Sequence, residues 1–191
     1  MGSHSLNGAL KSGVIWVKNS INISKRGSIL KVKSKQAEEL VKVMRNIPFP
    51  VTVMTTAAGD EQRGITIGSF TSLSMDPPLI SFNLDRNSRA HDLFSDASHF
   101  VVHIPGPDEQ ELCRHFAQPD LSGDEQFEEY EYQPNAHGIP VLKGNSAVIH
   151  CKKFRQIAAG DHSIIIGEVL EIERNREEAA ILYMDGKFRS L

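Results

Sequence analysis

Apolar positions along this chain recur mainly at every second residue, in short runs separated by turn residues. Val51, Val53 and Thr55 stand opposite Thr52, Met54 and Thr56, which predicts a strand over 51–57. Ala58-Gly59-Asp60 turns the chain and 64–70 returns it as a hairpin. Residues 79–84 and 99–104 read as two further strands. The longest β-patterned runs, 146–157 and 162–172, flank Ala158-Ala159-Gly160-Asp161, and a last hairpin turns at Asp185-Gly186. Helical spacing is confined to short pieces. Ala37, Leu40, Val41 and Met44 share one face of 36–45, which Asn46-Ile47-Pro48 stops. Leu112, Cys113 and Phe116 share one face of 108–117. Ser88 is the expected N-cap of a short helix through Ala90, Leu93 and Phe94. Residues 118–145 are polar and turn-rich, so a long surface loop with small helical pieces is expected. Pro77 and Pro78 each remove a ladder donor and keep 71–78 out of the centre of a sheet. Many short strands with few helices predict an antiparallel barrel, closed or partly closed.

Composition narrows the class. With 191 residues, 40% hydrophobic and 24% charged, the chain can bury a core, and wholesale disorder is excluded. No run reaches the eighteen or so apolar residues of a membrane span, so a soluble, cytoplasmic protein is expected. Cys113 and Cys151 lie in no CxxC spacing, which disfavours a disulfide scaffold and a zinc site. His99, His103, His115, His137 and His150 lack the spacing of a helical metal pair. Residues 1–36 carry seven basic side chains and no acidic one. Taking those seven from the 21 Lys and Arg leaves 14 against 24 Asp and Glu, a formal −10 for 37–191. Nucleic acid is therefore a poor partner for the body of the chain. The basic start has three readings: a vector-derived scar plus a native arm, a transit-like segment, or a strand from the alternation at 29–35. It is set apart as an extension (1–36) ahead of one domain (37–191).

The densest chemistry lies in 64–78, where Thr66, Ser69, Thr71, Ser72 and Ser74 place five hydroxyls among small residues. Gly64 and Gly68 allow close approach to the backbone, and the hydroxyls supply donors and acceptors without bulk. Such a stretch suits the edge of a flat heteroaromatic ring. From composition alone, an ordinary Thr/Ser-rich strand and turn is the favoured reading. No GxGxxG follows a strand, so a Rossmann site is not expected.

The run from Gly64 to Pro78 resembles the GxTxxSxxSxSxxPP pattern of the flavin reductase family, the FMN-binding split-barrel proteins. Further segments resemble that family in the same order: 47–56, Leu112 to Ala117, Gly138-Ile139-Pro140-Val141-Leu142, Val148 to Cys151, Gly160-Asp161-His162 with Gly167-Glu168-Val169, and 182–188. The likeness covers about residues 40–191. It implies a mostly β fold, a six-stranded Greek-key split barrel with a few short helices, working as a homodimer with flavin near the interface. By motif, Thr66, Ser69 and Ser72 would line the flavin, with the backbone of Phe70, Thr71 and Ser74. Ser81, Phe82 and Asn83 would run beside it. Ser88 and Arg89 would lie near the phosphate, as a helix start and a guanidinium both favour dianions. His162 would face the nicotinamide as the catalytic residue. The implied function is an NAD(P)H:flavin oxidoreductase using FMN, or else FAD, with NADH or NADPH, and supplying a partner oxygenase. Two other readings stand beside it: a flavin-binding electron carrier or sensor that does not oxidise NAD(P)H, and a split barrel for haem or a phosphorylated pyridoxal. His103 stands where the family often has Asn and Gln126 where Lys is common, which bears on the nicotinamide side.

Overall fold

The computed structural model describes residues 34–177 and 180–189. The expectations for residues 1–33 lie outside the described residues; Ser34 accepts from the Ala37 N–H and caps the first helix, α1 (Lys35–Met44). In chain order follow β1 (Phe49–Pro50), β2 (Thr52–Ala58), β3 (Glu61–Ile67), β4 (Thr71–Met75), β5 (Pro78–Asp85), α2 (His91–Asp96), β6 (His99–Ile104), α3 (Gln110–His115) and α4 (Gly123–Phe127). Then come β7 (Tyr132–Pro134), β8 (Pro140–Leu142), β9 (Ala147–Ala159), β10 (His162–Arg174), β11 (Leu182–Met184) and β12 (Lys187–Arg189).

The main sheet is antiparallel, with strand order β3-β2-β6-β9-β10-β5-β4. The β9–β10 hairpin lies between β5 and β6, a Greek-key path. The sheet curls on itself: Ile65 and Ile67 of β3 share one core with Ile80, Phe82 and Leu84 of β5. Phe82 packs edge-on against Phe94 of α2 and Phe100 of β6, with centroids 5.9 and 5.4 Å away. This sheet has seven strands, one more than expected. The extra strand is β4, an edge strand paired only to β5, with a bulge between Ser72 and Ser74. Its edge position tolerates the prolines, since Asp76-Pro77 (a cis peptide bond) forms the turn and Pro78 opens β5.

A second core lies outside the barrel. Val51 and Val53 pack with Leu112, Cys113, Phe116, Phe127, Ile181 and Tyr183, so β2 is buried on both faces. Gly64 is explained by this layer: a Cβ there would overlap the Phe116 ring, so the close approach is made by the protein itself. Cys113 and Cys151 are free, buried in separate cores, and burial pushes both thiols up to about 12. His103 is fully buried; its Nδ1 lies 3.1 Å from the Val53 carbonyl and its Nε2 accepts from the Leu142 N–H at 3.0 Å. These partners fix the neutral Nδ1–H tautomer, and desolvation lowers its pKa to about 4. No helix among the described residues is long and apolar enough to cross a membrane.

Candidate functional site

Alternation along β5 turns Ile80, Phe82 and Leu84 into the barrel and leaves Ser81, Asn83 and Asp85 on the outer face. On β10, Ile165 and Gly167 are buried while His162, Ile164 and Ile166 are half-buried on that same outer face. The register sets Asp85 opposite His162, Asn83 opposite Ile164 and Ser81 opposite Ile166. Thr71 of β4 stands opposite Ser81 and extends the row. The result is a polar row beside an apolar row that ends in an imidazole. A flat ring with one hydrogen-bonding edge matches that surface.

The segment before β4 is tied to this face. Ser69 Oγ accepts from the Asn83 N–H at 2.9 Å, and Phe70 packs against the barrel core. Ser72 is exposed and Ser74 half-buried, on either side of the β4 bulge. Two of the sequence-predicted residues point elsewhere. The Thr66 hydroxyl is buried and donates to the Cys113 carbonyl at 2.7 Å, which ties β3 to α3. The Phe82 ring lies wholly inside the barrel, so only its backbone runs beside the outer face. His162 is held at Nδ1 by the Asp161 carboxylate at 2.8 Å, and its side chain is 23% exposed.

At the Asp85 end the face opens into a cleft of about 340 Å³ between β3, the 85–90 turn and the segment after α3. Ser88 and Arg89 line it together, as do Arg63, Gln126 and Asp120. Ser88 is not an N-cap. It sits in a turn whose N–H bonds run from Ser88 to the Asp85 carbonyl and from His91 to the Ser88 carbonyl, and α2 begins only at His91. Its Oγ is buried with no hydrogen-bond partner among the described residues, which is costly unless a ligand satisfies it. The two guanidiniums are aimed by backbone carbonyls: Arg63 donates to Leu121 O at 2.7 Å and Arg89 to Asp120 O at 3.1 Å. The Asp85 carboxylate accepts from the Asn87 N–H and amide at 2.8 and 3.0 Å. A cleft lined by Ser88 and two guanidiniums suits a phosphate.

Residue patterns gave no hint of Arg63 or Asp85 in this cleft, and Gln126 stood out only as a departure from the family's Lys. Their signal is spatial, because β3, β5 and α4 meet there only after the sheet curls. Gln126 is nearly fully buried; its Oε1 accepts from the Gly64 N–H at 3.1 Å, and its own carbonyl lies 2.9 Å from His115 Nε2.

The fold is found in known proteins. The flavin reductase like domain profile matches residues 44–191. The chain belongs to the flavin reductase family. An FMN reductase (NADH), SmoA, of Agrobacterium fabrum is 33% identical over 138 residues, covering 72% of this chain and 76% of that protein. The structure of a Streptomyces globisporus NADH:FAD oxidoreductase in complex with NAD and FAD fragments superposes with a TM-score of 0.76 at 30% identity, covering 84% of this chain and 95% of that one. BorF, the flavin reductase component of a bacterial two-component tryptophan halogenase, superposes with a TM-score of 0.74 at 32% identity, over 81% and 97% of the two chains.

Proposed function

We propose that this flavin reductase family member is an NAD(P)H:flavin oxidoreductase that binds FMN, or FAD in its place, and hands reduced flavin to a partner oxygenase. The observation that carries the reading is the orphaned Ser88 hydroxyl beside Arg89, at one end of a face that carries His162. The names of its relatives, an NADH-dependent FMN reductase and an NADH:FAD oxidoreductase among them, support the same chemistry.

The bound flavin supplies the hydride acceptor. The chain supplies binding and orientation. Ser88 and Arg89 would hold the phosphate, with Arg63 in the same cleft. Thr71, Ser81 and Asn83, with the backbone of 70–74, meet the polar edge of the ring system. Ser69 acts through Asn83, by fixing the approach of the 68–70 segment. His162, its ring set by Asp161, would orient the nicotinamide carboxamide.

The working form in this reading is a homodimer in the cytoplasm. Phe154, Ile157, Leu170 and Ile172 leave apolar side chains exposed on β9 and β10. Phe154 and Leu170 are the unpaired residues of two bulges in the β9–β10 ladder, and Ile157 stands opposite Ile164 beside the site. A second copy covering this surface would shield the apolar row and complete the pocket wall.

Titration of the purified chain with FMN, followed by flavin fluorescence, tests the reading. Saturable binding is expected, with Arg89→Ala raising Kd about tenfold through loss of a charge-assisted bond. His162→Ala is expected to slow NAD(P)H oxidation while FMN affinity stays within about twofold. Fluorescence unchanged by wild-type protein contradicts the assignment.

A further inference from the structure

The turn that carries Ser88 and Arg89 is fastened to β10 at both ends, on either side of His162. At the first end the Arg86 N–H donates to the Asp161 carbonyl at 3.0 Å. At the second, His91 Nε2 lies 2.9 Å from Ser163 Oγ, and both side chains are largely shielded from solvent. The His91 N–H also donates to the Ser88 carbonyl at 3.1 Å, so the residue that reaches β10 closes the turn as well. The far end of α2 is held by the same hairpin. Lys153 Nζ donates to the carbonyls of Phe94 and Ser95 at 3.2 and 2.5 Å, and Gln156 Nε2 donates to Ser95 Oγ at 2.9 Å. Gln156 lies 3.4 Å from Ser163 Oγ too, which places that hydroxyl between the two fastenings.

We propose that His91 is a positioning residue for flavin binding: through Ser163 it locks the Ser88–Arg89 turn to the His162 hairpin, so that the phosphate site is set at a fixed distance from the ring site. The inference rests on the proposed flavin assignment and adds to it a residue outside the ligand's reach. A buried hydroxyl can serve a phosphate only if its backbone is held, because a shift of even 1 Å forfeits much of a hydrogen bond. The hydrogen bond between His91 and Ser163 is the side-chain bond that fastens the end of that turn to β10.

The test compares the affinities of FMN and riboflavin, which share the ring and differ in the phosphate. Affinities are measured by fluorescence titration on the full chain. His91→Ala is expected to raise the FMN Kd about tenfold and leave the riboflavin Kd within about twofold. His91→Gln, whose amide reaches the position of the imidazole Nε2, is expected to restore FMN binding to within about threefold of wild type. Ser163→Ala should reproduce His91→Ala, and the double variant should be no worse than either single one. Equal loss of FMN and riboflavin, or strictly additive effects of His91→Ala and Ser163→Ala, overturns the proposal while leaving the flavin assignment in place. Wild-type protein that binds neither flavin overturns both. If His91→Ala does not fold, His91→Gln and Ser163→Ala carry the comparison.

Discussion

Burial decides the protonation state of His103, and the consequence is measurable. The folded chain holds this imidazole neutral, with a pKa of about 4 against an ordinary 6.5. Between those values the unfolded chain takes up a proton that the folded chain refuses, so stability falls as pH drops from 6.5 towards 4. The full window is worth about 3 kcal/mol. Chemical denaturation at pH 7 and pH 4.5 should show this loss in wild type and a smaller one in His103→Asn. An equal loss in both contradicts the assignment. In the sequence, His103 was one of several scattered histidines and a departure from the family's Asn that pointed to the nicotinamide side; the structure instead buries it as the bridge between Val53 and Leu142. Ser88 illustrates the same limit from the other side. Its residue type and its place before Leu93 and Phe94 predicted a cap, yet the extra turn puts the helix start two residues later and leaves the hydroxyl out of the cap. Residue type signalled polarity; only the turn decided what the polar atom faces.

The elements themselves were largely legible, because a strand's alternation is local. The Val51–Ala57 strand, the two long strands around Gly160 and the Asp185-Gly186 hairpin are where period-two patterning put them. Pairing is not local. The seventh strand came from Thr71–Met75 joining an edge, and Thr66, whose hydroxyl looked like its neighbours in sequence, bonds α3 instead of facing the outer surface. Within this face Ser69 anchors the 68–70 segment to the Asn83 backbone, beside the packing of Phe70 on the barrel core. Ser69→Leu removes that anchor and fills the approach to the polar row. FMN binding is expected to be lost, a Kd raised at least a hundredfold, with the thermal midpoint shifted only as far as one surface-segment substitution allows. Normal FMN affinity in that variant would place the ring elsewhere.

At the scale of the whole molecule, the sheet curls so that one end of its outer face meets the cleft at Asp85, and the bulges in β9 and β10 turn Phe154 and Leu170 outward along the same hairpin. The proposed dimer follows from that surface. Sedimentation velocity at micromolar concentration should give a dimer, and Phe154→Asp with Ile172→Asp should give a monomer that still folds but binds FMN more weakly. A monomeric wild type contradicts the dimer and leaves the phosphate cleft as described.

The central claim is that this face and cleft pass electrons from a nicotinamide to a flavin. Its most direct test follows the near-ultraviolet absorbance of NADH and of NADPH when the purified full-length chain is added, with and without FMN or FAD. The account predicts steady consumption of at least one of them that requires the flavin. Protein that binds flavin tightly and leaves both nicotinamides unoxidised contradicts it.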